Sequence, residues 1–561
     1  MNISTTVFNK KSNDNYKILL ISFITFCILI GFHDKAFHID DPFYIKAAEY
    51  ITDHPFDPLG FDINWFGSYD KAYGIICNPP LVPYYLALTG SIFGWTESSL
   101  HIPFFAFSIL LSIGLYKLSS RLCKTPFTAT LLGISTPVFM LSCTNLMMDI
   151  PMLTFFTWGV YLWIKGISED NNRLLSLSGL ILAFAILSKY LGIAAVPMLF
   201  TYTLFHKKKL GTWLFFLFIP LFVFSLYLLI MKRLYNINLF SHSVSFSLDL
   251  ISGQSGITRA ITGLSFTGGC IITSFISLFF LWRKTSIAIW GLSWLFSVIA
   301  LIKTPSTSVL GMITDSQWKF MICFQMGLFI IGGIHLLLLA FLELFEKKDS
   351  ESFLLFTWIF GIFFFTAFIN WSVNGRSILI MMPAAAILLT RRLTDKNSMK
   401  KLPRLIFIVT TSMIIALIIT VSDYHWANTV KNAANDIYIR FKHSVDRTQF
   451  TGHWGFQHYM EKNGFKPVDF KNWHVQSGDI VIAPANNTNI VPMDIYPFKH
   501  IETLEKQGGK WTSTMNVLTG AGFYSSEFGP LPFVFCKTPP EYFDIYRVKL
   551  EPQENKKLLN E

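Results

Sequence analysis

Five charged residues stand at the edges of long apolar stretches: Asp40, Asp41, Asp149, Lys189 and Arg376. A charge at a membrane boundary costs free energy, so each is a candidate for chemistry. Asp40-Asp41 precedes Tyr44 directly after the first apolar run. One carboxylate of such a pair can take a proton from a hydroxyl while the other orients it. A plain helix-capping pair explains the two acids as well, since the helix dipole favours acids at its start. Asn78-Pro79-Pro80-Leu81 marks a second point, where two prolines fix an extended backbone that also serves as an ordinary turn. Asp149 follows Asn145-Leu146-Met147-Met148 and precedes Pro151. A cap for the following helix accounts for it as readily as function does. Lys189 and Arg376 are isolated cations at the ends of apolar runs. They can snorkel to headgroups or bind phosphate.

The elements that must hold these residues are membrane helices. Hydrophobic residues make up 52% of the 561, Phe alone occurs 56 times, and charged residues are 14%, against roughly 25% in soluble domains. The mean hydropathy is +0.45. These values exclude a disordered chain, a coiled coil and a typical cytosolic enzyme. The net charge of +11 does not point to nucleic acid, because Lys and Arg gather in short loops between apolar runs. Spans are predicted at 17–33, 102–120, 126–143, 150–165, 174–188, 191–205, 212–231, 260–282, 286–302, 319–344, 352–370, 377–390 and 404–422. With thirteen spans and the N-terminus inside, the clusters at Lys10–Lys11, Arg121–Lys124, Lys207–Lys209, Arg283–Lys284, Lys347–Lys348 and Arg391–Arg404 all fall in the cytoplasm. The five charged candidates then share the outer face.

Three segments outside the membrane are long. The loop 33–101 is predicted to hold surface helices, one with Asp41 as N-cap and Pro42 at its first position, another over Val82–Phe93. The segment 232–259 is polar and contains His242, which alone is more often neither ligand nor acid–base group. The tail 423–561 reads as a small α/β domain, with a helix over 455–463 and a buried strand over 479–484. The fold class is therefore an all-α polytopic membrane domain, 1–422, followed by an extracytoplasmic domain, 423–561. The seven cysteines form no CxxC pattern, and a Cys77–Cys536 bridge is one option outside the membrane. No metal or cofactor motif is present.

In this order the motifs resemble the GT-C fold glycosyltransferases, including protein O-mannosyltransferases and the transferases that add aminoarabinose to lipid A. The resemblance spans about residues 17–395. It rests on the acid pair with Tyr44, Pro79-Pro80-Leu81 with Tyr84 and Tyr85, Asp149, Leu187-Ser188-Lys189, and Arg376 with Pro383. It implies a polyprenyl-phosphate-linked sugar donor, a hydroxyl acceptor and a site opening outward from the bilayer. It places Asp40 in the catalytic position, with Asp41 and Asp149 beside it, and Tyr44, Asn78, Lys189 and Arg376 on the substrates. Asn78 stands where many relatives have His or Lys, and Cys77 where some have an acid, so a metal is not carried over. A transporter of lipid-linked saccharides and a non-catalytic envelope assembly protein are the alternatives. The expected location is the bacterial inner membrane.

Overall fold

The computed structural model describes residues 3–303, 318–394, 402–473, 475–488 and 498–549. All thirteen predicted apolar segments are helical. Nine helices among the described residues are long and apolar enough to cross a membrane, and up to eleven are if two bent pairs count as spans. The bent pairs are Pro126–Ile134 with Pro137–Cys143, at 66°, and Gly256–Cys270 with Ile272–Leu281, at 78°. The first bend falls at Thr136, whose hydroxyl caps the second helix by accepting from Phe139 N. Asn172–Ser188 and Ala195–Lys207 are short for the roughly 20 residues a span needs. Lys189 between them has an extended backbone, which breaks the helix there.

Loops holding four of the basic clusters meet at one end of the bundle. Arg121 pairs with Glu169 at 2.7 Å, and Lys207 with Asp170 at 2.7 Å. His206 Nδ1 lies 2.9 Å from Ser350 Oγ. Arg391 and Arg392 clasp Glu343, each at 2.7 Å. The side chains of Lys10–Lys11 and residues 395–401 lie outside the description.

At the other end, the first loop folds as the helices Asp41–Asp53 and Leu81–Phe93, joined by a short hairpin of Asp62–Asn64 with Tyr69–Lys71, and most of Asp41–Asp53 is buried rather than lying on the surface as expected. The predicted cap is corrected by one residue. Asp40 holds the N-cap position, and its side chain makes no capping bond. The polar segment after 232 contains a further helix, Leu239–Ile251.

The last membrane helix runs from Leu402 to Phe441, 40 residues. At 1.5 Å per residue it is about 60 Å long, twice the ~30 Å hydrocarbon core. It therefore continues past residue 422 and carries the C-terminal domain. That domain has a five-stranded mixed sheet in the order Lys466–Pro467, Thr448–Phe450, Ile480–Pro484, Glu541–Val548, Phe498–Lys506. The helix Trp454–Lys462 packs between the long helix and the first-loop helix Asp41–Asp53. All seven cysteines are free, so Cys77 and Cys536 are not bridged. Cys77 Sγ instead lies 3.3 Å from His242 Nδ1.

Candidate functional site

Four of the candidate charges converge into one chain of ion pairs. Arg376 Nη1 donates to Asp40 Oδ2 at 2.6 Å, and Arg376 Nε to Asp149 Oδ2 at 2.8 Å. Lys189 Nζ donates to Asp149 Oδ1 at 2.7 Å. Residues 336 positions apart thus share one charge cluster. Asp149 is 2% exposed, while Arg376, Lys189 and Asp40 are 13%, 17% and 23% exposed. Asp149 is thus the buried anchor, and the other three are partly exposed. Two carboxylates balance two cations, so the cluster is neutral and pre-organised before a ligand arrives.

Each member is set by local structure. Asp40 begins the first-loop helix and Asp149 begins the helix Asp149–Ser168. Lys189 occupies the break after Asn172–Ser188. Arg376 lies in the first turn of a helix capped by Asn374, whose Oδ1 accepts from Ser377 N at 2.8 Å. That turn is held from outside the membrane domain. Gly375 N donates to Phe523 O at 2.7 Å, and Ser526 N to Val373 O at 2.9 Å. A Cβ at Gly375 would lie 2.4 Å from the Phe523 ring, so only glycine allows this approach.

Tyr44 is buried beside the cluster. Burial, then the Asp40 charge, pushes its phenol well above the usual tyrosine range, and Arg376 opposes the shift. Asp41 turns the other way. It is fully buried and accepts from His38 N at 3.1 Å and Leu146 N at 2.8 Å. Burial pushes it up to about 7. Asp41 thus ties the first loop to the turn that presents Asp149, and it does not join the ion-pair chain. Asn78 is half-buried and makes no side-chain hydrogen bond among the described residues. Its neighbour Cys77 faces His242 instead. Tyr190, directly after Lys189, packs edge-on against Phe224 and Phe240 at 5.6 and 5.3 Å.

A second buried cluster was not anticipated. Lys35 and Asp423 are fully buried and paired at 2.6 Å. Asp423 also accepts from Thr514 and Tyr524, and Asn145 accepts from Lys35 and donates to Tyr524. His38 lies at its edge, 3.8 Å from Asp423, with its ring lowered from the usual histidine range by burial. This cluster bolts the first loop, the last helix and the C-terminal domain together. Among the described residues, no group of three or more His, Cys, Asp and Glu could hold a metal.

Residues 77–230 match the family described as dolichyl-phosphate-mannose-protein mannosyltransferase. No curated protein matches the chain. The oligosaccharyltransferase of Archaeoglobus fulgidus, tethered to an acceptor peptide containing the NVT sequon, superposes with a TM-score of 0.51 at 12% identity. The match covers 82% of this chain and 64% of that one. The archaeal oligosaccharyltransferase AglB from the same organism, in complex with an inhibitory peptide and a dolichol-phosphate, gives 0.50 at 10% identity over 84% and 69%. The fold is that of a GT-C glycosyltransferase. The GT-C resemblance read from the motifs is thereby borne out for the fold. The chain spans a little under two thirds of the first of those oligosaccharyltransferases. ArnT from Cupriavidus metallidurans bound to undecaprenyl phosphate also aligns, at 12% identity and a TM-score of 0.41, over 83% of this chain and 93% of that one.

Proposed function

We propose that the protein is an integral-membrane glycosyltransferase that moves a sugar from a polyprenyl-phosphate donor to a hydroxyl acceptor on the extracytoplasmic face. The observation that carries this is the Asp40–Arg376–Asp149–Lys189 chain: one carboxylate and two cations converge, partly open, on a buried carboxylate. The family matched by 77–230 acts with a sugar on a lipid phosphate by its description, and AglB was captured with dolichol-phosphate.

The site's own charges suit each part of the transfer. The donor phosphate competes with Asp40 for Arg376, which can grip two oxygens at once. Lys189 adds a point charge next to it. Drawing Arg376 toward phosphate leaves Asp40 free to accept a proton. The acceptor oxygen then bonds to the anomeric carbon, and its proton passes to Asp40. The bond from that carbon to the phosphate oxygen breaks, and the electron pair leaves with the lipid phosphate. The two cations stabilise that developing charge. Asp149 holds both cations in place, and is a positioning residue in this scheme. The rings of Tyr190, Phe224 and Phe240 give the prenyl chain an apolar surface.

The outward face follows from charge. The basic loops gather at the end of the bundle away from the site, and basic loops stay in the cytoplasm. An N-terminus inside, a C-terminal domain outside and residence in the inner membrane complete the reading. The test is donor turnover by purified protein in nanodiscs. Wild type should release polyprenyl phosphate from a polyprenyl-phosphate-linked hexose or pentose, and Arg376→Ala should bind that donor at least tenfold more weakly. Donor binding that is unchanged in both Arg376→Ala and Lys189→Ala would remove the phosphate site from this cluster.

A further inference from the structure

A groove of about 320 Å³ opens between the first loop and the C-terminal domain. It is at the lower end of the roughly 300–1,000 Å³ range of small-ligand clefts. One wall is the helix Asp41–Asp53, and the groove starts at Pro42, two residues after Asp40. The opposite wall is the helix Trp454–Lys462. Trp65 and Trp95 also line it.

The groove's chemistry is mixed and balanced. Lys46 faces Glu461 at 3.5 Å, and Glu49 has Lys46 and Lys462 as its neighbouring charges. No cation is left uncompensated for an anionic ligand. Gln457 donates to Asn64 O at 2.8 Å and to Glu461 Oε1 at 2.7 Å. Its own Oε1 is buried without a hydrogen-bond partner, although Gln457 is 3% exposed. His458 Nε2 is also buried without a partner. Burial lowers this imidazole to about 4, so at neutral pH it can donate or accept. Both atoms are closed off from solvent, so the polar groups a ligand meets in the groove are the charged heads of Lys46, Glu49, Glu461 and Lys462. The Trp95 ring lies on Gly90, where an added Cβ would be 2.7 Å from it, and the residue is half-buried. That leaves part of an aromatic surface facing the groove.

A saccharide suits a groove of paired charges and aromatic rings. Its hydroxyls both donate and accept, it carries no charge, and its ring C–H face packs on an aromatic plane. We infer that the groove is an acceptor subsite for a neutral glycan, held so that its terminal hydroxyl reaches Asp40. This rests on the transferase reading above and names its acceptor class. The bonds made and broken are those already given, with the attacking oxygen supplied by the glycan. The C-terminal domain then has a direct part in acceptor choice, because one wall of the groove is its helix.

The test is direct binding without any lipid-linked donor. Saturation-transfer NMR on the full chain in nanodiscs would use maltotriose, mannotriose and triacetylchitotriose as probes, with an uncharged hexapeptide as the competing class. At least one trisaccharide should bind, and Trp95→Ala should weaken it at least tenfold. Glu461→Gln, which keeps size and removes the charge pair with Lys46, should weaken it severalfold if Trp95→Ala does not fold. Binding of none of the trisaccharides, equal binding by every folded variant, or saturation of the peptide instead would overturn the proposal. Donor turnover measured in parallel keeps the two readings apart. Turnover without saccharide binding removes the glycan subsite alone, and saccharide binding without turnover removes the transferase reading.

Discussion

Asp40 is the acid whose environment separates chemistry from capping. It occupies a helix N-cap position, makes no capping bond, and gives its carboxylate to Arg376. Asp40→Asn should therefore leave the helix intact and slow sugar transfer by ~10²-fold or more, the scale of a general base. Initial rates with unchanged expression and melting temperature check it. Asp41 behaves differently. Burial raises it to about 7, so folding favours its protonated form. Its contribution to stability is complete below the unfolded value near 4 and is lost as pH rises through 7. Wild type should melt at a lower temperature at pH 8 than at pH 5, and Asp41→Asn should flatten that slope. Parallel slopes in a thermal-shift series would place the pH dependence elsewhere. Asp149, Lys189 and Arg376 were legible because a charge in an apolar run stands out. Asp41 was legible as a member of a pair, but its direction was not, because adjacent residues at a helix start point to different sides. Asn78 was chosen for its motif alone, and nothing in its surroundings draws it to the cluster.

At the scale of elements, the helices were readable from apolar length, down to the strand Ile480–Pro484 and the helix Trp454–Lys462 in the tail. The ends of helices were less so. The last helix continues to Phe441 because nothing after Ser422 breaks a helix, and the polar composition there gives no sign of where the helix ends. The Lys35–Asp423 pair escaped notice for a related reason. Lys35 reads as one more loop cation, and its partner lies 388 residues away. Its worth is testable. Removing one partner of a buried pair typically costs about 3–5 kcal/mol, because the other charge is left uncompensated. Lys35→Met should destabilise the protein on that scale, and Lys35→Met with Asp423→Asn should recover much of the loss. Thermal unfolding of the two variants decides it. If Lys35→Met alone melts like wild type, the pair does not join the loop to the last helix. Gly375 makes a similar prediction. Gly375→Ala drives a methyl into the Phe523 ring and should lower turnover by displacing Arg376, with the bulk of the fold retained.

The whole molecule is an asymmetric object, with basic loops at one end and the ion-pair chain, the buried Lys35 cluster and the C-terminal sheet at the other. This polarity was legible from the spacing of basic clusters alone. That the C-terminal domain reaches back to hold the Arg376 turn was not, since a contact between residues 375 and 523 leaves no local pattern in sequence. The asymmetry predicts that a reporter active only outside the cytoplasm, fused after Glu561, is active. An inactive but stably inserted fusion would put the candidate site on the cytoplasmic face. The central claim is that the cluster transfers a sugar from lipid phosphate, and single-turnover release of polyprenyl phosphate tests it most directly. Wild type in nanodiscs should release the lipid phosphate and pass the labelled sugar to a hydroxyl acceptor, with Asp40→Asn at least ~10²-fold slower. Equal release by wild type and Asp40→Asn, or no release by folded wild type from any polyprenyl-phosphate hexose or pentose, would contradict it.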